Sequence, residues 1–199
     1  MNRDGNSKVG IQMAVDAIYE DMQLRPQSLL FIEELVPAEM KNDLIANPFG
    51  SEYVGWKMVP SNLSDEEIQE AEIKLSAKLP IEYKWFVQYK FFVELHVHNN
   101  SILFHGITNE VRLNKIVSDN LENFYSRYVI DQGYIAIADF YDYGWVLLNS
   151  DENDASVYVA MYDSIDRKYY YASSLTEILS LDPDYANNFI ENYNKTGWK

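Results

Sequence analysis

The sequence predicts an α+β fold: a single domain with a mainly antiparallel, twisted sheet flanked by helices, plus an N-terminal helical extension. Three observations carry this. Helix-period segments stand near both ends of the chain. Short segments rich in Tyr, Val and Ile crowd together between residues 133 and 173, each bounded by turn residues. Apolar residues make up 47% of 199, enough to fill one core.

The elements follow in order. Ile11, Val15, Ile18 and Met22 give residues 8–23 an apolar stripe at helical spacing. "SLLFIEELV" fits helix or strand. Pro37 opens "PAEMKNDLIAN", where proline suits the first turn of a helix. "NPFGSE" is a turn-rich break, so residues 1–50 read as a helical extension packed on a main domain of residues 51–199. "YVGWKMVPSN" reads as a strand. "SDEEIQEAEIKL" is a helix whose Ser64 and Glu67 form a capping box, with Asp65 and Glu66 at the positive end of its dipole. It must end before "LP", and Pro80 starts a second helix, "PIEYKWFVQYKF". Residues 110–128 form a long helical segment carrying Leu113, Ile116, Val117, Leu121 and Phe124 on one side. Four strands come next: "GYIAIADF", "YGWVLLNS", "SVYVAMYD" and, after the turn "DSID", "RKYYYASS". Ser174 caps a short helix, "SLTEILSL", and "DPDYANNFIENYN" closes the chain as a helix.

Sixteen Lys and Arg against 31 Asp and Glu give a formal charge of −15. Such a field repels nucleic-acid backbones and anionic membranes, and steers basic proteins inward. No apolar run is long enough for a membrane helix, and the N-terminus has no apolar signal core. The chain has no cysteine, which rules out disulfides and thiol chemistry and fits a cytoplasmic setting. There is no glycine-rich phosphate loop, serine elbow or HExxH motif. No cofactor is expected.

The order of pieces is distinctive. "GWKMV" precedes "LSDEEIQEAEIKLSAKLP", which runs into "LPIEYKWF"; later come "YIAIADFYDYGWVLLN", "SVYVAMYD" and "ASSLTEIL". This order resembles the SUKH superfamily, which includes fungal cell-wall assembly regulators and bacterial immunity proteins. The resemblance covers Tyr53 to Leu181, with Glu72, Leu79, Pro80, Tyr83 and Phe86 at positions where the family has such residues. In place of the family's Asn-Gly or Gly-Gly turn after the second helix, the chain runs on as "QYKFFVELHVHNN". The resemblance implies a non-enzymatic binding module, an immunity protein that docks on a cognate toxin, with nucleases among the candidates. A nuclease holds phosphates in a basic cleft, and an acidic, tyrosine-rich surface would plug one. A regulatory scaffold, as in the eukaryotic relatives, is the weaker form of the same reading.

The charge pattern nominates contact residues. No Lys or Arg stands between Arg127 and Arg167. Within that interval "DFYDYGW" alternates acids and aromatics, and "NSDENDAS" forms an acidic hairpin tip. Asp139, Tyr141, Asp142, Tyr143, Asp151, Glu152 and Asp154 are the candidate partner-binding residues. A calcium loop starting at Asp151 fails, because its sixth position is Ser156 and its twelfth Tyr162.

His96, His98 and His105 are the three histidines and fall within ten positions. Clustered imidazoles are the alternative reading, a metal-dependent enzyme. Read as a hairpin turning at Asn99-Asn100, the same stretch places His96 opposite Leu103 and Glu94 opposite His105, with Leu95, Val97, Ile102 and Phe104 inward. On that reading the three histidines form its outer, wet face, whose charge changes modestly near neutral pH.

Overall fold

The computed structural model describes residues 8–98, 101–122, 124–151, 154–182 and 184–196. Helix α1 is Lys8–Gln23 and buries Ile11, Val15 and Met22, the stripe read from the sequence. The segment that follows departs from expectation. It forms single 3₁₀ turns and a short strand β1, Leu30–Ile32, which pairs antiparallel with β2, Tyr53–Gly55. The helix expected from Pro37 is one 3₁₀ turn, Ala38–Met40. Tertiary pairing overrides local preference: Met40 is fully buried, Lys41 bridges to Trp56, and the Asn42 N–H donates to the Gly55 carbonyl. The chain is extended there because it adds a rung to the β-ribbon.

The strand expected over "YVGWKMVPSN" divides into β2 and β3, Val59–Pro60. Trp56, fully buried between them, is the anchor. Helix α2, Asp65–Leu75, has the full capping box: Ser64 Oγ accepts from the Glu67 N–H, and Glu67 accepts from the Ser64 N–H. Ser76 in the left-handed region ends it. Pro80 then caps α3, Ile81–Val87. Glu72 locks this junction. Its buried carboxylate meets Lys78 at 2.8 Å, Lys84 at 2.7 Å and the Leu79 N–H at 2.9 Å. Burial opposes ionisation, but those bonds outweigh it and hold the carboxyl below its usual range.

Strand β4, Lys90–Phe91, pairs with β3, and the hairpin β5, Leu95–Val97, and β6, Ile102–Phe104, follows. The long helical segment carries α4, Asn114–Glu122, and α5, Phe124–Ile130, with residue 123 between them outside the described residues. Then come β7, Tyr134–Phe140; β8, Gly144–Asn149; β9, Val157–Met161; and β10, Tyr169–Ala172. Helices α6, Leu175–Ser180, and α7, Tyr185–Thr196, close the chain.

The main sheet has the order β10-β9-β8-β7-β6-β5, antiparallel throughout. It is a meander interrupted once, by α4 and α5. One face belongs to the main core, with Ile135, Val146, Leu148, Val159 and Tyr171 among its residues and α1, α3, α6 and α7 over it. The other face carries Ala136, Trp145, Leu147 and Ala160, covered in part by Val129 of α5. Strand alternation assigns each side chain to its face. The pairing of β7 with β6 ends at Ala138, beside a bulge in the β7–β8 register, and the buried Asn120 of α4 takes the Ala136 backbone edge. Its side chain donates to the Ala136 carbonyl at 2.8 Å and accepts from the Ala136 N–H at 2.9 Å.

Candidate functional site

Five of the nominated contact residues, Tyr141, Asp142, Tyr143, Asp151 and Asp154, flank the two ends of β8. At one end, the three residues between β7 and β8 form a tight turn, with Tyr141 at φ +47°. A left-handed angle is unusual for a tyrosine, and this one is tied down. The Ser101 hydroxyl donates to the Tyr141 oxygen, which donates in turn to Asn187 Oδ1 of α7 at 2.5 Å. Asp142 is exposed, and Tyr143 is 53% exposed with its ring 5.8 Å from that of Tyr141. Gly144 follows because β9 passes so close: a Cβ there would lie 2.0 Å from the Ala160 carbonyl oxygen.

At the other end, Asp154 accepts from Asn149 at 2.9 Å and from the Ser156 N–H at 3.0 Å, which holds its carboxyl below the usual range despite partial burial. Asp151 is exposed, and Glu152 lies outside the described residues. The length of β8 separates the two ends by about 17–20 Å at ~3.3 Å per residue. Among the described residues, the structure therefore does not gather the nominated residues into one patch.

Asp139 sits apart from both ends. It lies within β7, half-buried beneath α4, next to His105. His105 Nδ1 is 3.6 Å from Asp119, which also holds Lys115 at 2.7 Å. Burial raises the Asp139 carboxyl and lowers the His105 imidazole, so both lean toward their neutral forms.

The outward histidine face needs correction. The register is as the alternation predicts: Leu95 pairs with Phe104, His96 with Leu103 and Val97 with Ile102. The turn at Asn99-Asn100 lies outside the described residues. His98, however, has φ +54°, which breaks the alternation and turns its side chain into the core. There its Nδ1 stands 3.2 Å from the Tyr171 hydroxyl, and the residue is 5% exposed. His105 is covered by α4 instead of facing water. His96 alone keeps part of the wet face, 3.0 Å from Glu94. The three histidines are thus drawn to three different partners. Among the described residues, no three His, Asp or Glu side chains are placed to share a cation.

Two features escaped the sequence reading. The first is a ladder of tyrosines on the second face of the sheet. Tyr134, Tyr158 and Tyr170 meet edge to face, with ring centres 5.4 and 6.2 Å apart, and Lys168 stands 5.5 and 5.6 Å from the centres of Tyr128 and Tyr134. Tyr170 pairs across the strands with Tyr158, so a register was needed to see it. The second is a groove of about 300 Å³ where the β7–β8 turn, the end of β9 and α7 meet. Asp142, Tyr143, Met161, Tyr162, Asp163 and Tyr193 line it. Tyr162 packs edge-on to Trp145 at 4.5 Å, and Tyr193 donates to Asp163 at 2.8 Å. Burial, then Asp139 and Asp142, raise the Tyr162 phenol. No sequence motif joins these residues, which are brought together by the meander and the closing helix.

From the α2–α3 junction through β10 to α6, the fold follows the order seen in the sequence. A family model described as SMI1 / KNR4 family (SUKH-1) matches residues 62–181. The chain belongs to the SUKH-1 family. The SUKH-1 match takes in the Glu72 junction, the β7–β8 turn and the tyrosine ladder; α1, the β1–β2 ribbon and α7 lie outside it. No curated protein matches the chain in sequence. Membership in SUKH-1 is consistent with an immunity-type protein-binding module. No helix among the described residues is long and apolar enough to cross a membrane.

Proposed function

We propose that the protein is a non-enzymatic immunity protein that neutralises a cognate toxin by binding it. The observation that carries the reading is a SUKH-1 domain whose stretch from β7 to the end of the loop after β9 contains acids and the exposed Tyr143 and Tyr162 but no Lys or Arg before Arg167. The partner is basic, as the cleft of a nuclease is. The contact residues we propose are Asp142 and Tyr143, with Tyr141 fixing their turn, and Asp151 and Asp154 at the far end of β8, together with Glu152 of the same acidic stretch of sequence. Asp139, half-buried beneath α4, stands behind this surface and is not part of the contact. Tyrosines supply buried anchor area at low entropic cost, and the acids steer the encounter. The protein acts in the cytoplasm, where such a toxin would do its damage.

The test is co-expression with the product of a toxin gene adjacent to its own. A stable complex that abolishes toxicity is expected. Failure to bind that toxin, with both proteins folded, rejects the reading.

A further inference from the structure

We infer that the groove between the β7–β8 turn, the end of β9 and α7 is a slot for one arginine side chain of the partner. The inference rests on the binding reading above and gives that site its chemistry.

The groove has a floor, walls and a charge. Met161 and Ile190 form an apolar floor, suited to the methylene stem of a long cationic side chain. Tyr143 and Tyr162, 53% and 44% exposed, offer ring surface. The cation is attracted to such faces, and guanidinium stacks on them best. Asp142 and Asp163 supply the negative charge. Asp163 is pre-set: Oδ1 accepts from Tyr193 at 2.8 Å and from Ser164 at 3.1 Å. Those bonds fix its orientation and leave Oδ2 without a hydrogen bond among the described residues. Asp142 likewise has no hydrogen bond or ion pair among them.

Among the described residues, no basic side chain is bonded to either carboxylate. None of the lining residues is basic. The nearest base along α7, Lys195, is engaged with Glu191 at 3.0 Å. Uncompensated carboxylates beside exposed rings favour a cation from outside. Arginine fits better than lysine because its planar fork can meet a carboxylate with two N–H groups while its face lies on a tyrosine. At about 300 Å³ the groove suits one side chain, not a peptide or a nucleotide. Its α7 wall, with Ile190, Tyr193 and Asn194, lies beyond the family match, so the slot belongs to this chain's own outfitting of the domain.

The experiment uses the full ¹⁵N-labelled chain and two probes, N-acetyl-arginine amide and its neutral isostere N-acetyl-citrulline amide. The arginine probe should shift amides of residues 142–145, 161–164 and 190–194 saturably, and citrulline should not. Asp142→Asn and Tyr143→Ala should each weaken the arginine probe about tenfold while leaving the remaining spectrum in place. Equal shifts from both probes, or arginine shifts unchanged in Asp142→Asn, would overturn the slot. Toxin capture separates the two proposals. If the adjacent-gene toxin binds wild type and both variants equally, the slot is wrong and the immunity reading stands. If the probe titrates the slot but the toxin never binds, the immunity reading fails instead.

Discussion

His98 is the residue whose environment departs furthest from its sequence context. Burial lowers its imidazole below the ordinary value of 6.5, and the Ile178 backbone and Asp182 only partly offset this. The folded protein therefore holds it neutral while the unfolded chain protonates it near that value. Below about pH 6.5 the unfolded state binds the extra proton, so stability should fall as the solution is acidified toward the lowered folded value. Removing the group by His98→Gln should make urea midpoints less steep in pH below about 6.5, measured against wild type. Glu67 has the opposite chemistry and a lower window. Arg112 binds it bidentately, at 2.7 and 2.5 Å, and the carboxyl falls to about 2. Its contribution is present above the unfolded carboxylate range and is lost as pH falls from about 4.5 toward 2. Glu67→Gln should lose that window; the exposed geometry limits the effect at neutral pH to about 1 kcal/mol. Gly144 tests the sheet at one atom. Gly144→Ala forces β8 from β9 and should cost about 1–3 kcal/mol in denaturant unfolding.

At the scale of elements, legibility followed the range of the interactions. Helix α2 could be read in full because Ser64 and Glu67 cap it within four residues. Helix α6 could be read for the same reason, with Ser174 accepting from the Glu177 N–H at 3.0 Å. The segment after Pro37 could not. Its backbone is committed to Trp56 and Gly55, which lie more than a dozen residues away, and no local preference reveals that. The histidine hairpin was half legible: alternation gave its register, but the left-handed angle at His98 and the α4 cover over His105 lie outside any period-two rule. Helix α4 holds the sheet through Asn120, a residue with nothing remarkable in its sequence surroundings. Asn120→Ala would strand two buried backbone groups of Ala136 and should cost about 2–4 kcal/mol, read from the urea midpoint. Substitution on the exposed side of α4 should do far less.

For the whole molecule, the charge of −15 governs encounters more than it governs the fold. Association with a basic toxin should slow on the order of tenfold as ionic strength rises from about 0.01 to 0.15 M, while the off-rate changes little. Stopped-flow mixing across a salt series checks this, and a salt-independent on-rate would count against acidic steering. The sequence by itself determined the α+β class, the order of the main elements, the capped helices, the acidic and tyrosine-rich character, and the family resemblance. These depend on composition and on contacts within a turn or two of chain. The tertiary structure alone decided where chemistry collects. It split the nominated acids between two ends of β8, buried His98, hid Asp139 beneath α4, and joined Asp142 and Tyr143 to Tyr162, Asp163 and Tyr193. Those groupings depend on strand register and on where α7 lands, which are set by packing between residues as far as 73 positions apart and leave no local trace.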